Sequence, residues 1–180
     1  PPWELVFRAS RIGPNALALP GGTIVMTDEM VQLVDSNTDV LTAVLAHEMG
    51  HLQHRHGMRM LVQVMLLGTV SSVLLGDFST VLAGGAALVG QSHYSRQAER
   101  EADAAAVRIL RAGDISPAAM VTLFDKLAEK RRASKAPGQP DEKNGKDGND
   151  EKAHWLGLTF ASHPADAERV RFFQEAAKGR

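Results

Sequence analysis

The chain has 180 residues, 44% of them hydrophobic and 23% charged, which is the composition of a globular domain with a real core. A formal net charge of −1 excludes a nucleic-acid binder that relies on a global basic field. The absence of cysteine excludes thiolate metal sites, disulfides and cysteine nucleophiles.

The opening "PPWELVF" has neither the basic start nor the apolar run of a signal peptide, and no initiator Met. It reads as the start of an excised domain, with any targeting segment upstream. Trp3 to Ser10 reads as a strand. Asn15 to Pro20 and Thr23 to Thr27 read as two more, joined by the turn Pro20-Gly21-Gly22. A small, mostly antiparallel sheet is expected. "DEMVQLV" starts a short helix with acids in its first turn.

The next helix has Asn37 or Ser36 as N-cap and Gly57 as its stop. Leu41, Leu45, Met49 and Leu52 recur along it at the spacing of an apolar stripe facing the core. From Met58 to Gln91 the chain is unusually apolar, in two runs separated by Asp77. Each run is shorter than the roughly 20 residues needed to span a bilayer. Two buried or lid-like helices are expected, with a membrane-dipping hairpin as the alternative. Ser95 to Ala112 reads as a helix ended by Gly113, and Ser116-Pro117 caps another running to about Ala133. The segment from about 134 to 153 is polar and rich in turn formers, and is expected to be a mobile surface loop. The last helix is expected to start at "SHPAD", with Pro164 at its first position and Asp166 near the positive end of the helix dipole.

The chemistry concentrates in "VLAHEMGHLQHRH", Val44 to His56. His47 and His51 stand four residues apart, so about 6 Å along a helix axis and about 40° around it. Both imidazoles can converge on one ion, and Glu48 beside that face can reach a water bound to it. This is the physical content of H-E-x-x-H: two neutral imidazoles hold zinc and the carboxylate takes the water's proton. His54 lies about 10 Å along the axis from His47, so an unbroken helix cannot aim His47, His51 and His54 at one ion. His54 and His56 are expected to be solvated or hydrogen-bonded near the helix C-terminus.

A third ligand must come from elsewhere. "SRQAEREADAAAVRIL" offers Glu99, Glu101 and Asp103. Glu99, Asp103, Ala106 and Leu110 share one face whose small and apolar members indicate burial. Glu101 points roughly 200° away from Glu99 and shares its face with Arg108. Glu99 is therefore the preferred ligand. Asp103, one turn below, can accept the second N–H of a ligand histidine and fix its tautomer. The alternative is ordinary surface pairing of Glu99 and Asp103 with Arg96 or Arg100.

Four segments together resemble the zinc metallopeptidases that include the HtpX heat-shock proteases, the CAAX prenyl endopeptidases and the mitochondrial Oma-type proteases (metallopeptidase family forty-eight). They are "NALALPGGTIVMTDEMV", "VLAHEMGHLQHRH", "YSRQAEREADAAA" and "SHPADAERV", in that order. The resemblance implies an α+β, mainly α, zincin-like (gluzincin) fold over one catalytic domain spanning the chain. It implies one catalytic Zn2+ on His47, His51 and Glu99, with Glu48 as base and with His163 and Arg169 near the catalytic water. It also implies a bacterial envelope quality-control role for a parent protein anchored in a membrane outside this fragment. The apolar stretch 58–91 matches segments that are transmembrane in HtpX-like members, which raises membrane contact here.

The activity expected from these residues is hydrolysis of peptide bonds in unfolded or extended polypeptide. His163 and Arg169 are candidate donors to the oxyanion. The strand residues Ala16, Leu17, Ala18 and Leu19 are expected to offer an edge to which an extended peptide adds. Two other readings stand beside this one: a catalytically silent, chaperone-like binding module, and a protease in which His163 takes the water's place until substrate displaces it.

Overall fold

In the computed structural model, the described residues are 2–11, 13–75, 95–134, 163 and 165–179. Three strands, β1 (Glu4–Arg8), β2 (Ala16–Ala18) and β3 (Thr23–Thr27), lie in the order β1-β3-β2. Six helices follow in the described residues: α1 (Asp28–Leu33), α2 (Thr38–Gln53), α3 (His56–Leu75), α4 (Arg96–Ala112), α5 (Ala118–Ser134) and α6 (Ala167–Lys178). The expected mainly helical fold with a small N-terminal sheet is what the chain adopts.

The sheet is mixed. β2 and β3 form the expected antiparallel hairpin, with Leu17 opposite Val25, while β1 adds to the far side of β3 in parallel, with Val6 opposite Val25. The turn needs its glycines. Gly21 and Gly22 have φ of +109° and +107°, and a Cβ on Gly22 would lie 2.5 Å from the Pro2 carbonyl oxygen. Thr27 closes the sheet onto the first helix. Its hydroxyl receives the Asn15 N–H at 2.8 Å and caps α1 by receiving the Met30 N–H at 3.2 Å.

The core lies between the sheet, α2, α4 and α5, and includes Met26, Val40, Val44, Leu110, Met120 and Phe173. The Leu41, Leu45, Met49 and Leu52 stripe is only half-buried. The deepest face of α2 instead carries Ala43, Ala46, His47, Gly50 and His51. The reason is the partner helix. α2 makes its most extensive contact with α4, and the two approach so closely that a Cβ on Gly50 would lie 2.8 Å from both the Cα and the carbonyl oxygen of Ala102. Small residues on both helices allow that approach, and the polar site residues sit between them.

Helix ends fall as their caps dictate. Asn37 caps α2 by receiving the Val40 N–H, and Ser95 caps α4 by receiving the Ala98 N–H. α2 stops before Gly57. His54 is its C-cap, Arg55 adopts a left-handed φ of +55°, and α3 restarts at His56. α6 begins later than the sequence suggests. Asp166 is its N-cap and receives the Arg169 N–H at 2.9 Å, so His163 lies outside the helix.

The first apolar run forms α3, which leaves Met58, Val62, Met65 and Leu66 exposed rather than buried. Among the described residues, no helix is long and apolar enough to cross a membrane. The second apolar run, the expected loop of about 134 to 153 beyond Ser134, and Pro164 lie outside the described residues.

Candidate metal centre

α2 presents His47 and His51, one turn apart, to the face of α4 that carries Glu99. The loop before α6 adds His163. His47, His51 and Glu99 are 4%, 1% and 3% exposed, so this cluster is not a solvated helix face. The His47 and His51 Nε2 atoms are 3.1 Å apart. Glu99 Oε2 is 3.4 Å from His47 Nε2, and Glu99 Oε1 is 3.4 Å from His51 Nε2. His163 Nδ1 is 3.3 Å from His47 Nε2 and 2.9 Å from Glu99 Oε1. One ligand atom from each of the four residues lies within 4.8 Å of all the others.

The separations among His47, His51 and Glu99 suit a tetrahedral ion. Zinc with bonds of about 2.0–2.1 Å has ligand–ligand edges of roughly 3.3 Å. The donors are also the right chemical kind, two or three imidazoles and a carboxylate. Glu101, the alternative acid, takes no part in this group.

Glu48 is 2% exposed. Its Oε1 lies 3.5 Å from His163 Nε2. Among the described residues its Oε2 is buried without a hydrogen-bond partner. Burial raises the Glu48 pKa above the usual carboxylate range, against the opposing pull of His163, His47 and the Ala18 backbone N–H. That N–H belongs to β2, the strand at the sheet's edge. Ala16 and Ala18 are buried, Leu17 is half-buried and Leu19 is 42% exposed.

Asp103 and Arg169 support the cluster from behind. Asp103 Oδ1 is 2.9 Å from His47 Nδ1. Arg169 donates to both Asp103 oxygens at 2.7 Å and sets Nη1 2.8 Å from Glu99 Oε2. Its guanidinium also lies 5.3 Å over the Phe124 ring. Arg169 is 5% exposed, and the contacts described here aim its fork at the two acids. The surface pairing weighed for these acids is not what forms. Sequence reasoning missed this grip, because the contact crosses from α4 to α6.

The electrostatics follow from burying two carboxylates beside one guanidinium. Burial opposes protonation of His47, yet its hydrogen bonds to Asp103 and Glu99 outweigh that and lift its pKa to about 9. Burial pushes His51 down to about 2. Burial would raise Glu99, but hydrogen bonds from His163, His47 and His51 hold it well below the carboxylate range. Asp103 is likewise lowered, since its bonds to His47 and Arg169 outweigh its burial.

His56 is hydrogen-bonded, one of the two states expected of it, and it is also buried. It is 5% exposed, with Nδ1 2.9 Å from His51 Nδ1 and Nε2 3.0 Å from Glu101 Oε2. The physical reason is the break at Arg55, which folds His56 back under His51. His54 remains half-exposed, stacked on the His56 ring at 5.4 Å. Gly50 was also overlooked. A lone glycine inside a helix is a readable sign of close packing.

Comparison with known proteins agrees with this centre. The profile described as peptidase family M48 matches residues 1–177. The β-barrel assembly-enhancing protease of Escherichia coli (strain K12) is 31% identical over 137 residues, covering 68% of this chain and 28% of that protein. The metalloprotease LoiP of the same organism is 28% identical, covering 89% of this chain and 58% of LoiP. The mitochondrial metalloendopeptidase OMA1 of Schizosaccharomyces pombe is 29% identical, covering 96% of this chain and 46% of OMA1. The chain thus spans between about a quarter and three fifths of the length of these relatives. Their resemblance, the family match and the buried His-His-Glu-His group lead to one assignment: the chain belongs to peptidase family M48, the zinc metalloproteases.

Proposed function

We propose that the chain is a single catalytic domain, residues 1–180, that hydrolyses peptide bonds in unfolded or extended polypeptides with one zinc held by His47, His51 and Glu99. The observation that carries this reading is the buried convergence of those three donors beside a Glu48 oxygen that has no hydrogen-bond partner among the described residues. Zinc bound there would polarise the scissile carbonyl and lower the pKa of a bound water towards ~7. Glu48 accepts the water's proton and delivers it to the leaving amine. Asp103 holds His47 with Nδ1–H outward and Nε2 inward. Arg169 acts as a positioning residue, fixing Glu99 and Asp103 together. His163, whose Nε2 lies 3.5 Å from Glu48 Oε1, would donate to a developing oxyanion.

Substrate is proposed to lie along β2, extending the sheet through main-chain hydrogen bonds at Ala16, Leu17, Ala18 and Leu19. A role for the parent protein in bacterial cell-envelope protein quality control is part of this proposal; the name of one relative, a β-barrel assembly-enhancing protease, is in keeping with it, and any membrane contact is proposed to run through 58–91 or through a segment outside this chain.

The test is hydrolysis of an unfolded protein such as casein, with and without chelator, beside Glu48→Gln. Equal degradation by wild type and mutant would refute the catalytic assignment. For the ligand set, Glu99→Ala should abolish zinc binding; retained stoichiometric zinc would refute it.

One observation favours a second reading of the resting state. His163 Nδ1 stands among the other ligand atoms at ligand–ligand distances, so His163 can take the fourth position until substrate displaces it. His163→Ala then raises casein hydrolysis. If His163 serves mainly the oxyanion, the same variant lowers it.

A further inference from the structure

His51 turns Nε2 into the metal cluster, so its other ring nitrogen must be accounted for. A neutral imidazole that offers the Nε2 lone pair carries its proton on Nδ1. His51 Nδ1 lies 2.9 Å from His56 Nδ1. One of these two atoms must donate and the other accept. With His51 as donor, His56 accepts at Nδ1 and carries its own proton on Nε2. That N–H points at Glu101 Oε2, 3.0 Å away. Glu101 is held in turn by Gln97, whose amide donates to Oε1 at 2.9 Å. Every proton in the chain then has a donor and an acceptor.

We propose that His56 and Glu101 form a positioning pair for His51, doing for that residue what Asp103 does for His47. The inference rests on the zinc centre proposed above. The left-handed Arg55 supports it. A non-glycine residue at φ +55° is a strained conformation that the surroundings must hold, and here it returns the chain so that His56 faces His51. Burial agrees, with His56 at 5% exposed.

His54, His56 and Glu101 could instead hold a second cation, since their ligand atoms also cluster. The proton count decides between the two uses. A cation on His56 Nε2 would put the ring proton on Nδ1, facing the Nδ1–H of His51 across 2.9 Å. Once His51 ligates through Nε2, His56 cannot do so.

The test is a chelator-competition zinc titration of wild type, His56→Phe, Glu101→Gln and His54→Ala, with imidazole 15N spectra of the zinc-loaded wild type. The proposal expects one zinc per chain and His56 protonated on Nε2. It expects zinc affinity lower by about tenfold to a hundredfold in His56→Phe. Glu101→Gln should lose less, because the amide oxygen still accepts from Nε2–H, and His54→Ala should match wild type. A second zinc lost in His54→Ala would overturn the proposal, as would His56 protonated on Nδ1. Wild-type affinity in His56→Phe beside a zinc-binding wild type would sink the pair alone. A wild type that takes up no zinc would sink the metal centre and the pair with it. Should His56→Phe fail to fold, the wild-type spectrum still decides.

Discussion

Replacing Gly50 with alanine adds one methyl group at the closest approach of α2 and α4. The new Cβ would lie 2.8 Å from the Cα and carbonyl oxygen of Ala102, where ordinary contact begins at 3.4 Å. The deficit is 3.4 − 2.8 = 0.6 Å, and it is against backbone, so no rotamer change relieves it. Two energies compete. Alanine is favoured over glycine in a helix by roughly 1 kcal/mol, while overpacking costs about 1–3 kcal/mol. The metal-free protein should therefore be destabilised by about 0–2 kcal/mol. Zinc binding should suffer more. Glu99 rides on α4 while His47 and His51 ride on α2, and metal–ligand distances tolerate only about 0.2 Å. A shift of several tenths of an ångström should lower zinc affinity by about tenfold or more. Urea unfolding in chelator gives the first quantity and chelator competition the second. Ala105→Gly should not rescue the variant, because it removes only the contact at 3.1 Å. A Gly50→Ala protein stabilised by about 1 kcal/mol with unchanged zinc affinity would refute the packing argument.

Arg169→Gln leaves the buried Glu99 and Asp103 without their guanidinium. The metal-free protein should lose about 3–5 kcal/mol and the zinc-loaded protein less, as compared by denaturant unfolding in the two states; equal losses would count against this reading. Asp103→Asn keeps the shape but removes the charge facing His47 Nδ1, so zinc affinity should fall about tenfold to a hundredfold by chelator competition, with the fold kept by circular dichroism. His47 in the metal-free protein has a pKa of about 9, above its ordinary 6.5. Its protonation therefore stabilises that state fully below pH 6.5, and the contribution is lost as pH rises through about 9. Zinc must displace that proton, so near neutral pH uptake should release the His47 proton besides any from zinc-bound water, measured by calorimetry in buffers of different ionisation enthalpy, and release should fall by about one proton as pH rises through about 9; release that does not fall there would contradict it.

Features set by local spacing were legible in the sequence. His47 and His51 at one helical turn, a cap at Asn37 or Ser36, and the shared face of Glu99 and Asp103 all follow from helix geometry, and the chain caps α2 with Asn37 and brings these side chains to one place. Features set by tertiary approach were not. The Leu41, Leu45, Met49 and Leu52 stripe reads as core, yet Gly50 and Ala102 bring α4 onto a different face. Nothing in the local pattern marks Arg55 as left-handed, so His56 reads as a helix-end residue when it is buried under His51. The grip of Arg169 on two acids 70 and 66 positions away has no local signature either.

The charge arrangement shows why these parts belong together. Glu99 and Asp103 bring two negative charges into a space where Arg169 supplies one positive charge. The remaining charge cannot stay uncompensated at that depth. In the metal-free chain a proton on His47 balances it, which is why that imidazole stays basic although it is buried. A divalent cation held as proposed would do the same, and it would need His47 neutral. The acids that keep His47 basic in the metal-free chain thus also provide the negative field that draws the cation in. In the zinc-bound state proposed above, Asp103 would stay beside His47 Nδ1, 2.9 Å away, and would hold the ring as it is.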